Sequence, residues 1–71
     1  GRQRVGHWMV AHTLRRLGRI DEALALQQRL EAENAADGTP DPYVFEELAL
    51  LHRARGDAAL AEAYAARAQA R

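Results

Sequence analysis

The apolar residues of this chain recur at helical spacing in four stretches, and two glycines divide those stretches into pairs. Apolar side chains three or four positions apart form one stripe on a helix, and the period-two alternation that marks a strand is absent. Gly18 and Gly56 each separate two such stretches, and glycine adopts the left-handed backbone that ends a helix at no steric cost. The pattern therefore predicts an all-α fold of two antiparallel helical hairpins with four helices.

The first hairpin is predicted to pair a helix over about residues 3–17 with a second helix from its N-cap Asp21 to about Asn34. Trp8 lies about 100° round the first helix from His7, so we expect it beside the inner stripe and not at its centre. The expected inner stripes are His7, Val10, Ala11, Leu14 and Leu17 on the first helix, and Ala23, Leu26 and Leu30 on the second.

A loop over residues 35–41 leads to the second hairpin, because Gly38, Pro40 and Pro42 cannot continue a regular helix. Asp41 before Pro42 is typical of a helix start, and Asp57 after Gly56 is the expected N-cap of the fourth helix. The expected inner stripes are Phe45, Leu48, Ala49 and His52 on the third helix, and Leu60, Ala61, Tyr64 and Ala68 on the fourth.

The two hairpins are copies of one unit at an offset of 38 residues, which aligns Gly18 with Gly56, Ala11 with Ala49 and Ala23 with Ala61. The matching residues are Val10, Ala11, Leu14, Gly18 and Ala23 in the first copy and Phe45, Leu48, Ala49, Gly56, Ala61 and Ala68 in the second. This pattern resembles the tetratricopeptide repeat. It departs from the family at His7, Gln27, Leu30 and Ala65, and its offset exceeds the family period of about 34 residues. The resemblance implies one TPR-like domain over residues 1–71, with repeat one at about 4–37 and repeat two at about 42–71.

The resemblance also implies a partner-binding groove lined by the first helix of each hairpin. The family's groove positions fall on Val5, Trp8, His12 and Arg15 in the first copy and on Tyr43, Glu46, Leu50 and Arg53 in the second. Aromatic and Arg side chains concentrate binding energy at interfaces. The alternative interpretation is that Trp8 and Tyr43 only cover the edge of a hairpin. Trp8 and Glu46 stand where some relatives carry a Lys or Asn clamp for chaperone tails, so binding of such tails is not expected.

The charges balance, with ten basic and ten acidic residues, but they are segregated along the chain. Residues 1–19 hold five Arg and no acid, residues 20–47 eight acids and one Arg, and residues 48–71 four Arg and two acids. Helices of alternating sign are suited to stacking. The zero net charge argues against general affinity for nucleic acid or anionic membranes. Nucleic-acid binding through the five N-terminal Arg residues is a weak alternative, because Trp8 is their only stacking aromatic.

The sequence gives little indication of catalysis or of metal binding. The chain has no Cys and no glycine-rich phosphate loop. His7 and His12 are five residues apart, whereas helical zinc ligands are three or four apart, so we expect His7 and His52 to be semi-buried and locally hydrogen-bonded. Glu46 and Glu47 point about 100° apart and are expected on a solvated acidic face. We therefore expect no enzyme activity, no bound metal and no cofactor.

The favoured function is a non-catalytic protein-protein interaction module that binds a peptide, a protein partner or its own copy. The alternative is a helical regulatory or structural domain of a larger enzyme. Two repeats are fewer than the three an autonomous solenoid needs, so homodimer formation or docking on a longer parent chain is expected, with the last helix around Leu60 and Tyr64 as a further interface. No apolar run is long enough for a membrane span, and nothing at residues 1–5 resembles a signal peptide, so we expect a cytoplasmic location. The Ala- and Arg-rich composition favours a GC-rich bacterial source.

Overall fold

The computed structural model describes residues 2–70, and within that range the chain forms four helices: α1 Arg2–Arg16, α2 Ile20–Asp37, α3 Pro42–Ala54 and α4 Ala58–Gln69. α1 pairs with α2, and α3 pairs with α4. The two hairpins pack side by side through α2 and α3, and α1 also touches α3. The predicted all-α fold of two stacked helical hairpins is therefore confirmed.

The two hairpin turns have the same geometry, as the repeat predicts. Gly18 and Gly56 have φ angles of 82° and 84°, in the left-handed region that side chains with a Cβ disfavour. In each turn the residue after the glycine donates its backbone N–H five residues back, Arg19 to Leu14 and Asp57 to His52, both at 2.9 Å. This pairing satisfies a carbonyl at the end of α1 or α3 and reverses the chain within two residues.

The helix starts follow the sequence prediction at α3 and α4 but not at α2. The Asp41 carboxylate accepts the N–H of Tyr43 at 2.9 Å, and the Asp57 carboxylate accepts the N–H of Leu60 at 3.2 Å. The prediction of Asp21 as an N-cap is wrong, because the Gly18 turn leaves one residue before the helix begins and Arg19 occupies the cap without a side-chain bond. Asp21 lies in the first turn, where its charge still favours the positive end of the helix dipole.

α2 is longer than predicted and the loop after it is shorter. Residues 35–37 continue the helix, and Gly38 ends it with a φ of 67°. Ala is the best helix former and Gly38 is the first residue that suits a left-handed C-cap, so the helix continues until it reaches that glycine. The connection between the hairpins is therefore residues 38–41.

One buried cluster spans both hairpins and ties α2, α3 and α4 together. Its buried members are Ala23, Leu24, Leu30, Val44, Phe45, Leu48, Leu51 and Ala68. Four partly buried side chains pack against it: Trp8, Leu14, Ile20 and Tyr64. The stripe predicted for α3 is confirmed, because Phe45, Leu48, Ala49 and His52 are all buried. On α4, Ala61 and Ala68 are buried as predicted, whereas Leu60 is 44% exposed.

The inner stripe predicted for α1 is correct for two residues and wrong for the other three. Ala11 is buried and Leu14 is partly buried, but Val10 is 52% and Leu17 68% exposed, and His7 is exposed rather than semi-buried. The covered face of α1 is instead rotated toward α3 and runs through Arg4, Trp8, Ala11 and Arg15. Periodicity identified apolar positions on this helix correctly, but α1 has neighbours on only part of its circumference.

Two further properties of the described residues bear on function. Gln27 of α2 is fully buried, and neither polar atom of its amide has a hydrogen-bond partner. Among residues 2–70, no helix combines the length and the apolar character needed to cross a membrane.

Candidate functional site

A concave cavity of about 580 Å³ opens where the N-terminal half of α1, the C-terminal end of α2 and the start of α3 meet. Its wall combines aliphatic, aromatic and proline side chains with a few polar groups, the usual composition of a ligand pocket. The lining residues are Arg4, Val5, Trp8, Leu30, Asn34, Thr39, Pro40, Asp41, Pro42, Tyr43 and Val44. We call this space the α1–α3 cavity.

Trp8 is the central side chain of the cavity wall, and three contacts fix its position. Its indole Nε1 donates to the backbone carbonyl of Tyr43 at 3.3 Å. The indole stacks on the His12 ring with centroids 4.9 Å apart, and it meets the Tyr43 ring edge-on at 6.5 Å. A side chain held in this way is pre-ordered, so a ligand that contacts it loses little additional side-chain entropy.

The short loop before α3 forms the opposite wall. Pro40 and Pro42 flank Asp41, and proline fixes φ near −65°. The bond from the Tyr43 N–H to the Asp41 carboxylate, at 2.9 Å, holds the first turn of α3 against this loop. Tyr43 is thereby presented to solvent with 65% of its surface exposed, which leaves an aromatic side chain available at the cavity mouth.

The cavity has one basic group at its rim. Arg4 donates to the Asn34 side-chain oxygen at 3.1 Å and forms an ion pair with Asp37. Asn34 is 8% exposed, whereas the side chains of Arg4 and Asp37 are 31% and 52% exposed. The Arg4 charge is therefore largely balanced by Asp37, and the cavity as a whole is more apolar than charged.

A buried ionic cluster fixes α1 against α3 beside the cavity. Arg15 Nε lies 2.8 Å from Glu47 Oε1 and Arg15 Nη2 lies 3.2 Å from Oε2, a two-point pairing. His12 Nδ1 lies 3.1 Å from the same Oε2, and Glu47 is only 4% exposed. The expectation that Glu46 and Glu47 share a solvated acidic face is wrong for Glu47, because α1 covers it, and holds for the exposed Glu46.

The structure divides the eight predicted groove residues into three groups. Val5, Trp8 and Tyr43 line the cavity, whereas His12 and Arg15 are engaged by Glu47 beside it. The remaining three, Glu46, Leu50 and Arg53, follow Tyr43 along the exposed face of α3 and lie outside the cavity lining.

Several lining residues were not identified from the sequence. Pro40, Pro42 and Asn34 reach the cavity only because α2 extends to Asp37 and shortens the loop. Arg4 lies one helical turn before Trp8 and could have been assigned to the same face by that spacing. The pairing of Glu47 with Arg15 joins residues 32 positions apart, and no local pattern indicates it.

Within residues 2–70, no three His, Asp or Glu side chains come close enough together to hold a metal ion. The polar groups of the α1–α3 cavity also lack a nucleophile paired with a base. The side chains that line the cavity offer apolar contact and a small number of hydrogen-bonding groups. The chain matches no protein-family model, and comparisons with curated proteins and with solved structures give no match, so its relation to the tetratricopeptide repeats stays a prediction.

Proposed function

We propose that this chain is a non-catalytic protein-interaction module that binds a short peptide segment in the α1–α3 cavity. The observation that carries the proposal is the cavity itself, with a volume of about 580 Å³ and two aromatic side chains in its wall. Exposed aromatic side chains next to apolar aliphatic groups are the usual anchors of peptide and protein interfaces.

The geometry favours an apolar side chain of the peptide as the anchor. Val5 and Tyr43 are 67% and 65% exposed at the cavity, and covering them removes apolar surface from water, at about 25 cal/mol per Å². Arg4, Asn34 and Thr39 at the wall supply polar groups for the peptide backbone. The attachment of α1 to α3 through Glu47 supports a preformed site, because it fixes the relative position of two of the helices that form the cavity walls.

Three finer expectations belong to the same proposal. The equivalent turns at Gly18 and Gly56 support the tetratricopeptide-like interpretation. Self-association as a homodimer or docking on a longer parent chain is expected to supply the contacts of a third repeat. Light scattering at micromolar concentration tests the homodimer. A bacterial source and a cytoplasmic location stay expectations; the first comes from the Ala- and Arg-rich composition.

Selection of peptides from a random library on the folded chain tests the proposal. Trp8 is the only tryptophan and lines the cavity, so a peptide that enters it changes the intrinsic fluorescence. We expect Val5→Asp to weaken the selected peptides by roughly tenfold or more, because it places a charge in an apolar wall. Ala25→Asp is the control, since Ala25 is exposed on α2 and lies outside the cavity lining.

Trp8→Ala is expected to weaken binding by more than about 1 kcal/mol, but Trp8 also packs against the buried cluster. Circular dichroism must therefore show that the variant is folded, and the exposed Tyr43→Ser gives an independent comparison. Peptides that bind Val5→Asp and Tyr43→Ser as tightly as the parent chain, or that leave Trp8 fluorescence unchanged, would contradict the proposal.

A further inference from the structure

α1 has an apolar face that no other part of the described chain covers. Gly6, Val10 and Thr13 lie on it at spacings of four and three, and Leu17 follows just beyond the helix end. Val10 is 52% and Leu17 68% exposed, and the neighbouring Met9 is 53% exposed. We call Gly6, Val10, Thr13 and Leu17 the outer face of α1. It lies on the side of the helix opposite Trp8, so it is separate from the α1–α3 cavity.

The sequence repeat shows which residues of the second hairpin correspond to the outer face of α1. The 38-residue offset aligns Gly6, Val10 and Thr13 with Val44, Leu48 and Leu51. Those three α3 residues are 2%, 0% and 0% exposed, and they belong to one cluster with Leu24 and Leu30 of α2. These three positions of the repeat are therefore covered by a helix on α3 and uncovered on α1, whereas Leu17 aligns with Arg55, which is exposed.

Gly6 is also consistent with another helix packing on the outer face of α1. A glycine inside a helix costs about 0.5–1 kcal/mol relative to alanine, and a Cβ at Gly6 would meet no atom within 4 Å. The fold of residues 2–70 therefore has no packing reason for glycine at this position. A second helix seated on the outer face would come closest where the side chain is missing.

The helix that covers the equivalent face of α3 is acidic. α2 contains five acidic residues and one Arg, and all five carboxylates pair with Arg side chains. These pairs are Arg4–Asp37, Arg19–Glu22, Arg29–Glu33, Arg55–Asp21 and Arg67–Glu31. α1, by contrast, contains four Arg and no acid. Its exposed Arg16 flanks the outer face and has no ion-pair partner within the described residues. An acidic helix would supply that partner.

We propose that the outer face of α1 docks an acidic amphipathic helix of a partner protein, in the way that the equivalent face of α3 docks α2. A second copy of this chain fits the face less well. The α1 helix of a second copy contains no acid, so it would leave Arg16 without an ion-pair partner. α4 offers one exposed large apolar side chain, Leu60, and one acid, Glu62, against one Arg.

The test uses the full 71-residue chain and a labelled synthetic peptide with the sequence of residues 20–37, because this is the acidic helix that covers the equivalent face. We expect saturable binding in fluorescence anisotropy, weakened roughly tenfold or more by Val10→Asp, which introduces a charge at the centre of the face. Ala25→Asp, which places a charge at an exposed position of α2, is the control and should leave binding unchanged. A peptide with its five acids replaced by Asn and Gln should bind more weakly and with less dependence on salt.

Gly6→Gln is the second variant, because it adds bulk to the outer face at a position where the fold has free space. It should weaken the peptide while leaving the thermal melt intact, so it distinguishes lost docking from lost folding if Val10→Asp unfolds. The proposal is overturned by any of three results: no saturation at up to about 1 mM peptide, binding that both variants leave intact, or a neutralised peptide that binds as tightly. A dimer in light scattering that Val10→Asp dissociates would assign the face to a second copy instead.

Discussion

Gln27 gives the sharpest test of the energetics of this fold. Its side chain lies in α2 with 0% exposure, and both the amide nitrogen and the amide oxygen lack a hydrogen-bond partner. Burying an amide without a partner costs about 1–3 kcal/mol, as mutational data on proteins indicate. The substitution Gln27→Met removes both polar atoms and keeps an unbranched side chain of similar length.

The expected gain in the free energy of unfolding is about 1–2 kcal/mol. Removal of the unpaired amide supplies the gain, and imperfect repacking of the thioether, below about 1.5 kcal/mol, reduces it. Helix propensity contributes little, because Gln and Met rank close together. In a domain of this size each 1 kcal/mol shifts Tm by roughly 4–8 °C, which thermal melts followed by circular dichroism resolve easily.

Gln28→Met is the matched control, because Gln28 is the neighbouring residue on the exposed side of α2. It should change stability by less than about 0.5 kcal/mol, the usual range for an exposed position. Urea unfolding should give a higher midpoint for Gln27→Met with an unchanged slope. A Tm for Gln27→Met at or below that of the parent chain would refute the reasoning, and would indicate that a bound water satisfies the amide.

Three further predictions concern the ionic cluster, a turn and the partly buried phenol of Tyr64. Glu47→Gln should lower the free energy of unfolding, measured with urea, by about 2 kcal/mol, because it leaves the partly buried Arg15 guanidinium without its counter-charge. A stability equal to that of the exposed control Glu46→Gln would contradict this prediction. Gly56→Ala should lower the free energy of unfolding by about 1–2 kcal/mol, because Gly56 has a φ of 84°. The same change at Gly6, inside α1, should raise it by about 0.5–1 kcal/mol. Equal effects of the two changes in thermal melts would be inconsistent with the turn geometry. Burial raises the pKa of Tyr64, and its hydrogen bond to Glu31 raises it further, so the folded state keeps a proton that the unfolded state releases above about pH 10. Stability should therefore fall as pH rises beyond that value, and Tyr64→Phe should reduce the fall; an identical pH profile for the variant would exclude Tyr64 as the cause.

The architecture was predictable because its signals are local. Gly18 and Gly56 determine the hairpin turns, and Asp41 and Asp57 start α3 and α4 through bonds that span two or three residues. The α3 stripe was also correct, since α3 has a neighbouring helix on both of its apolar sides. The fold of the second hairpin therefore follows almost entirely from spacing.

The errors arose where an outcome depends on which neighbour is present. Periodicity placed Val10 and Leu17 inside, but a stripe becomes buried only if another element covers it. Glu47 is buried because Arg15, 32 positions away in the sequence, pairs with it, and a local pattern carries no such information. Only part of the cavity lining was predicted. Trp8 and Tyr43 were identified, whereas Pro40 and Asn34 reach the cavity because of where α2 ends, which the sequence pattern did not indicate.

The shared apolar cluster has a consequence for how this chain could be divided. Its buried members come from α2 in the first hairpin and from α3 and α4 in the second, so the boundary between the sequence repeats does not separate two independently stable bodies. A chain cut within residues 38–41 would yield two halves that each expose the surface the other one buries. Such halves would gain their structure by reassociating with one another, which makes this loop a natural position for a split reporter.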